Sequence, residues 1–371
     1  MTSQSHAIQA LSVAVSRRIP VLLWGGPGTG KSSMIRSLGA ALDLPVVTVI
    51  ASLREPADFA GLPVVSDDGS IRLAEPAWAR KLAQAESGIL FLDEITTAPP
   101  AVQAALLRVV LERVVGDVAL PPGIAVIAAA NPPEVAAGGW DLSPPLANRF
   151  CHIEWPVDSD RYLEALSAGW GTAGIELPPE SRSKTSAVQV RSALAGFLRS
   201  RPTLLYAMPE DATSSGRAWP SPRSWDMAAE LWARADDADL DAGVITMLLS
   251  GCVGPGAALE LLAWQQEADL PDPETVLADP GSFRLPDRGD RQFAVLTALA
   301  VAVRNNPTKE RWEAAFSVVE QAVSRGAPDV AAVAARTLAQ NIPEGVTALP
   351  PSVGSLAPVL AKAKILRRNG R

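Results

Sequence analysis

The run Gly25-Gly26-Pro27-Gly28-Thr29-Gly30-Lys31-Ser32 has the spacing of a phosphate-binding loop. Glycines let successive backbone N–H groups curl around phosphate oxygens, and the positive end of a following helix adds to the attraction. In that pattern Lys31 contacts the β- and γ-phosphates, Ser32 binds a magnesium ion, and the cradle continues into Ser33. A second group is the apolar run 89–92 ending in Asp93-Glu94. Side chains alternate along a strand, so adjacent carboxylates at its C-terminal end can take different tasks. Asp93 suits magnesium, commonly through the ion's water shell, and Glu94 suits polarising an attacking water. Three further residues could complete the site. Asn131 follows the apolar run 124–130 and is either a turn residue before Pro132-Pro133 or a polar sensor between the carboxylates and the γ-phosphate. Arg149, in Leu146-Ala147-Asn148-Arg149-Phe150, is either a surface ion-pair partner or a finger supplied to a neighbour's nucleotide. Arg223, in Pro220-Ser221-Pro222-Arg223-Ser224-Trp225, either serves local structure or reaches back to the phosphates.

Elements able to position these groups surround them. Apolar spacing predicts helices over 8–15, 31–42 and 100–111, and strands over 19–24, 45–50, 88–92 and 124–129. Strands alternating with helices imply an α/β domain with a parallel sheet covered on both faces. Two interruptions have hairpin character, 62–73 turning at Asp67-Asp68-Gly69 and 114–120 turning at Gly116-Asp117. Beyond Pro156 the pattern turns helical, over 158–168, 187–199, 224–234, 239–249, 291–303, 309–324 and 329–340. The expected division is therefore 1–157 as the nucleotide-binding core and 158–371 as a helical lid and C-terminal region, with a hinge or exposed loop over 209–222 and a helix beginning near 222. The last ten positions, 362–371, carry five basic residues, as a solvated end or a docking point for an acidic partner.

Composition limits what else the chain can do. Its 371 residues leave ample length for a core, and 33 basic against 40 acidic residues give a net charge of −7. Residues 1–150 carry 11 basic and 13 acidic groups, so no basic half is concealed and nucleic acid is disfavoured as the main partner. Cys151 and Cys252 are the only cysteines and His6 and His152 the only histidines, which excludes a disulfide framework, a zinc cluster and a histidine-rich catalytic set. Any chemistry rests on Lys, Arg, Asp, Glu and backbone. Positions 1–10 lack the pattern of a signal peptide and the apolar runs are too short to span a bilayer, so a cytoplasmic location is expected.

The order of glycine loop, Asp93-Glu94, Asn131, Arg149 and Arg223 resembles an AAA+ ATPase, and within that superfamily the MoxR group. The phrases that carry the resemblance are Leu53-Arg54-Glu55-Pro56-Ala57-Asp58-Phe59-Ala60-Gly61, Ala105-Leu106-Leu107-Arg108, Glu112-Arg113-Val114, Ala130-Asn131-Pro132 and Leu146-Ala147-Asn148-Arg149-Phe150, where the family pattern has Asp in place of Asn148. The resemblance implies a P-loop NTPase αβα core with two hairpin inserts facing a ring pore or client, followed by an all-helical lid. It implies ATP and Mg2+ as ligands, bound by Gly25 to Ser33 and Asp93, with Glu94, Asn131, Arg149 and Arg223 acting on the phosphates. It also implies a homo-oligomeric ring, six-membered in the family pattern, that remodels or matures a protein client, with a von Willebrand factor A domain protein as partner. An ATP-gated assembly scaffold of gas-vesicle type with slow hydrolysis is the alternative, and a DNA-directed motor is disfavoured by the charge.

Overall fold

The computed structural model of the chain describes residues 3–132, 139–168, 175, 177, 185–268, 270–344 and 346. The basic stretch 362–371 lies outside them. Two compact units divide the chain, 1–181 with 203–259, and 182–202 with 260–371. The chain leaves the first unit, contributes a short stretch to the second, returns and leaves again.

In the first unit the described strands are β1 (Val21–Trp24), β2 (Val46–Ile50), β3 (Leu62–Val65), β4 (Ile71–Ala74), β5 (Ser87–Asp93), β6 (Val114–Val115), β7 (Val118–Ala119), β8 (Gly123–Ala130) and β9 (Cys151–Glu154). A five-stranded sheet takes the order β2-β5-β8-β1-β9, with all neighbours parallel. Parallel sheets are covered on both faces, and β1 and β8 meet that demand with the buried runs Val-Leu-Leu-Trp and Ile-Ala-Val-Ile-Ala-Ala-Ala. Leu22, Val49, Leu90 and Val126 share a core with Phe59, Leu106 and Phe150. Each such side chain stabilises the fold by roughly 1.5–3 kcal/mol relative to exposure. The helix Ser3–Ser16 buries Ile8, Leu11 and Val15, and packs against β9 and the helix Ala242–Val253.

Strand β9 escapes a reading of periodicity. Its four residues are too few to show alternation, and its state is set by pairing with β1, which brings His152 beside Leu22 and Glu154 beside Trp24. Both expected hairpins form, with Leu62 opposite Ala74 and Val114 opposite Ala119. They are not independent ribbons. Asp117, expected at a solvated tip, instead accepts from the Leu73 N–H through Oδ2 (2.7 Å) and donates its own N–H to the Leu73 carbonyl (3.1 Å). Gly116 makes this approach possible: its φ is +59°, and a Cβ there would stand 2.6 Å from the Leu73 oxygen. The second hairpin is thereby pinned to the base of the first, whose Leu62, Val65 and Ile71 remain exposed at 60%, 70% and 72%.

The returning stretch of the first unit holds the helices Ala212–Ser215, Pro222–Asp237 and Ala242–Val253. The sequence predicts an exposed loop or hinge over 209–222; residues 210–214 are exposed, but Ser215, Trp219, Pro220 and Ser221 are buried. The correction has a physical cause, because Trp219 is apolar and Ser221 is consumed by capping. Ser221 accepts from the Ser224 N–H (3.1 Å) while Ser224 Oγ accepts from the Ser221 N–H (2.8 Å), with Pro222 as the first helical residue. Such a cap is worth about 1 kcal/mol, and it fixes the backbone that carries Arg223.

The second unit is helical. Thr185–Ser200, Gly289–Asn305, Lys309–Ser324 and Pro328–Gln340 match the predicted helices within a few residues. Its core is formed by Leu299, Val303, Trp312, Phe316 and Leu338, with the Trp312 indole donating to the Leu338 carbonyl at 2.9 Å. The helices Pro255–Ala268 and Pro273–Ala278 are additions to the sequence reading. The first opens on Pro-Gly and lacks a one-sided apolar stripe, and the second is only six residues long. No helix of the described residues is long and apolar enough to cross a membrane.

Candidate functional site

The glycine loop leaves β1 at Trp24 and enters the helix Lys31–Ala41 at Gly30. Gly28 and Gly30 have φ of +78° and +87°, a left-handed conformation that side chains disfavour, and no atom lies within 4 Å of a Cβ built on either. Backbone shape, and not crowding, therefore demands glycine at both positions. Two contacts hold the loop: Thr29 Oγ1 donates to the Gly26 carbonyl (2.9 Å), and the Trp155 indole donates to the Thr29 carbonyl (3.1 Å). Trp155, just past β9, carries no motif and is visible only once β9 is known to pair with β1.

Lys31 is buried, with Nζ donating to the carbonyls of Gly25 (2.6 Å) and Gly26 (3.0 Å) and to Asn131 Oδ1 (3.0 Å). Burial holds its pKa below the ordinary lysine value, and the nearby Asp93 carboxylate pulls it back up. Ser32 Oγ donates to Asp93 Oδ2 at 2.7 Å, while the other Asp93 oxygen accepts from the Glu94 N–H at 3.0 Å. Glu94 has φ of +56°, the left-handed region, directly after the last residue of β5. A non-glycine residue held there costs about 1 kcal/mol or more. The turn aims the carboxylate back across the sheet, where Oε2 accepts from Ser52 Oγ at 2.6 Å. Ser52 sits in the turn Ala51–Leu53 after β2, whose Ile50 is registered opposite Asp93. Sequence reasoning missed it, because only the register of β2 on β5 brings it to Glu94.

Gly25 to Ser33, Asp93, Glu94 and Asn131 are thus brought together at the C-terminal edge of the sheet. The cleft they form is about 350 Å³, lined by Pro27 through Ser33, Asp93, Glu94 and 129–131. Open crevices of this kind are where α/β sheets take ligands. Its chemistry fits a nucleotide and a divalent cation: left-handed glycines shape an N–H cradle at a helix start, Lys31 supplies positive charge, and Ser32 with Asp93 supplies adjacent hard oxygen donors.

Arg149 and Arg223 lie outside the lining of that cleft. Their segments are joined through Asn148, whose Oδ1 accepts from Ser221 Oγ at 2.6 Å, and burial first, and then the positive charge of Arg223, hold the Arg149 guanidinium below its ordinary pKa. Arg149 donates to the Pro145 carbonyl, and its buried Nε has no hydrogen-bond partner among the described residues. Neither arginine has a carboxylate partner among the ion pairs of the described residues. The sequence alternative of a surface ion pair for Arg149 finds no partner there.

His152 links the end of β1, just before the glycine loop, to the turn that precedes Arg149. Its Nδ1 accepts from the Trp24 indole (2.9 Å), which leaves the proton on Nε2 for the Ala147 carbonyl (2.9 Å). Arg217 stacks 3.6 Å over the Trp24 ring and pairs with Glu154 at 2.9 Å. Burial pushes the His152 pKa down to about 4, the bond to Ala147 opposes the drop, and the charge of Arg217 adds to it. The folded pKa is below the unfolded value of about 6.5, so the stabilisation is complete above pH ~6.5 and is lost as pH falls towards 4, by up to about 3 kcal/mol. The thermal midpoint should accordingly fall more steeply over that window in the parent protein than in His152→Gln. Equal slopes would remove His152 from the acid response.

Comparison with known proteins agrees with this geometry. Residues 20–150 match the family model described as AAA domain (dynein-related subfamily). The MoxR protein of Paracoccus denitrificans is 35% identical over 111 residues, 30% of this chain and 32% of that protein. The MoxR protein of Methylorubrum extorquens is 31% identical over 114 residues, 30% of this chain and 33% of that one. The matched stretch thus spans about a third of the length of these relatives. A candidate ATPase of Cytophaga hutchinsonii, known from a crystal structure, superposes with a TM-score of 0.46 at 17% identity, covering 68% of this chain and 82% of that one. The stretch from 20 to 150 therefore matches the AAA domain of the dynein-related subfamily, and over about 30% of its length the chain is similar to MoxR proteins.

Proposed function

We propose that this chain is a magnesium-dependent ATPase that works as an oligomeric ring, in which Arg149 and Arg223 of one subunit complete the catalytic centre of the next. The observation that carries this reading is the separation of charges: Lys31, Ser32, Asp93, Glu94 and Asn131 converge on one cleft, while two arginines with no acidic partner among the described residues lie outside its lining. An arginine pair of that kind calls for an anion, and a head-to-tail assembly supplies one in the neighbour's phosphates.

Within the cleft, the N–H groups of the glycine loop and Lys31 bind the phosphate chain, and Ser32 and Asp93 hold the cation. Magnesium, when bound, supplies neutralisation of phosphate charge. Glu94 accepts a proton from the attacking water or orients it, and Asn131, already bonded to Lys31, fixes the γ-phosphate end of the site. The client of such a ring is a protein. The net charge of −7 disfavours nucleic acid, and the pinned hairpin pair offers exposed Leu62, Val65 and Ile71 to an apolar partner surface. A von Willebrand factor A domain protein is the partner class implied by the resemblance to the MoxR group, and the reading places the ring in the cytoplasm.

ATP turnover per subunit, measured against subunit concentration, tests the assembly. A rate that rises steeply and then saturates, and that Lys31→Ala abolishes together with nucleotide binding, is the expected result. A concentration-independent rate from a protein shown by mass to be monomeric would overturn the shared site. Tight ATP binding with negligible turnover at every concentration would favour an ATP-gated scaffold instead.

A further inference from the structure

We propose that Asn148 is a positioning residue that locks Arg149 and Arg223 into a single two-guanidinium head, so that a neighbour's phosphates are met by both arginines or by neither. Asn148 is 4% exposed and ends the turn Pro144–Ala147, immediately before Arg149. Its side chain faces the other arginine's backbone: Nδ2 donates to the Trp219 carbonyl at 2.9 Å, and Oδ1 accepts from Ser221 Oγ at 2.6 Å. Ser221 is the cap of the helix Pro222–Asp237, so one amide grips the residues that lead directly into Arg223. Both of its bonds are buried, and a buried polar group left unpaired costs about 1–3 kcal/mol, which makes any other arrangement of the two segments unfavourable.

The residue type matters. An amide offers one donor and one acceptor to a carbonyl and a hydroxyl, whereas the Asp of the resembled family pattern would turn a carboxylate oxygen towards the Trp219 carbonyl. The head is also tied to the subunit's own cleft, since the Ala147 carbonyl next to Asn148 accepts from His152, which in turn accepts from Trp24 just before the glycine loop. Locking matters only if the two arginines serve a neighbour's nucleotide, the reading given above, and the experiment separates the two.

Asn148→Ala should bind ATP with the parent's affinity, because its own cleft is intact, and turn it over about 10- to 100-fold more slowly. Mixed with Lys31→Ala subunits, whose clefts are dead and whose heads are whole, it should regain turnover. With equal mixing, half the subunits offer a working cleft and half of their neighbours a working head, so about a quarter of the sites become active. A merely structural defect in Asn148→Ala would spoil its own cleft and would not be rescued. Rescue of Arg149→Ala without rescue of Asn148→Ala overturns the lock while leaving the arginine reading intact. Failure of both, in assemblies shown to be mixed, overturns the arginine reading and the lock with it. Replacement of Arg223 by Ala should slow the parent more than it slows Asn148→Ala, and additive losses would overturn the both-or-neither coupling. If Asn148→Ala does not fold, Ser221→Ala breaks one of the two bonds and is measured in the same way, with an unchanged turnover counting against the lock.

Discussion

Glu94→Gln should bind ATP as the parent does and hydrolyse it about 100-fold or more slowly, the loss expected when a positioned general base is removed. Binding is spared because no hydrogen bond among the described residues joins the carboxylate to Lys31 or Ser32; its one described side-chain bond is to Ser52, 2.6 Å away. Turnover is lost because an amide of the same shape cannot take a proton from water. The backbone supports the assignment independently. A glutamate in the left-handed region is a poor choice for a turn, where Gly or Asn would relieve the strain. Parent-like turnover in Glu94→Gln would strip the residue of this role and shift attention to Asn131. The bond from Ser52 adds a second level, because it holds one carboxylate oxygen and so sets how Glu94 presents its remaining lone pairs to water. Ser52→Ala would then alter turnover while leaving ATP affinity in place.

Much of this centre is legible in the sequence, since the chemistry of a phosphate loop is carried by contiguous residues. Gly28, Gly30, Lys31 and Ser32 specify a backbone path and a charge with no help from the rest of the chain, and Asp93-Glu94 announces itself by ending an apolar strand. The sheet is legible for the same reason where strands are long, as in β5 and β8. What stays hidden depends on pairing between distant segments. Ser52 and Trp155 reach the site through the registers of β2 on β5 and β9 on β1, and β9 itself has too few residues to declare a period. The stretch 209–222 has the Pro, Ser and Gly of a loop, yet Trp219 and Ser221 are buried against Asn148. Composition reports local backbone preference, and tertiary partners override it there. The same holds for Asp117, a tip residue by sequence and a clasp between hairpins in the fold.

Arg149→Ala should leave ATP affinity nearly unchanged and lower turnover by about 1,000-fold or more, the scale on which an arginine finger acts. The size follows from where the charge sits: a guanidinium with no acidic partner among the described residues, held only by the Pro145 carbonyl, has no ion pair to break before it meets a phosphate, so its charge is available to the transition state. Dilution cannot mimic the defect, because the loss in Arg149→Ala persists at saturating subunit concentration, where the parent is fully active. Arg149→Lys should recover little, since an ammonium lacks the planar fork that contacts two oxygens at once. Lys31→Ala and Arg149→Ala subunits, each nearly inactive alone, should together produce turnover only if the arginine crosses to a neighbour. An arginine acting on its own subunit's nucleotide would leave every subunit of the mixture with one fatal defect, and turnover would stay at the level of the inactive parents. The mixed assembly therefore distinguishes a shared catalytic centre from a self-contained one by the appearance of activity, a result that a destabilised or poorly folded variant cannot imitate.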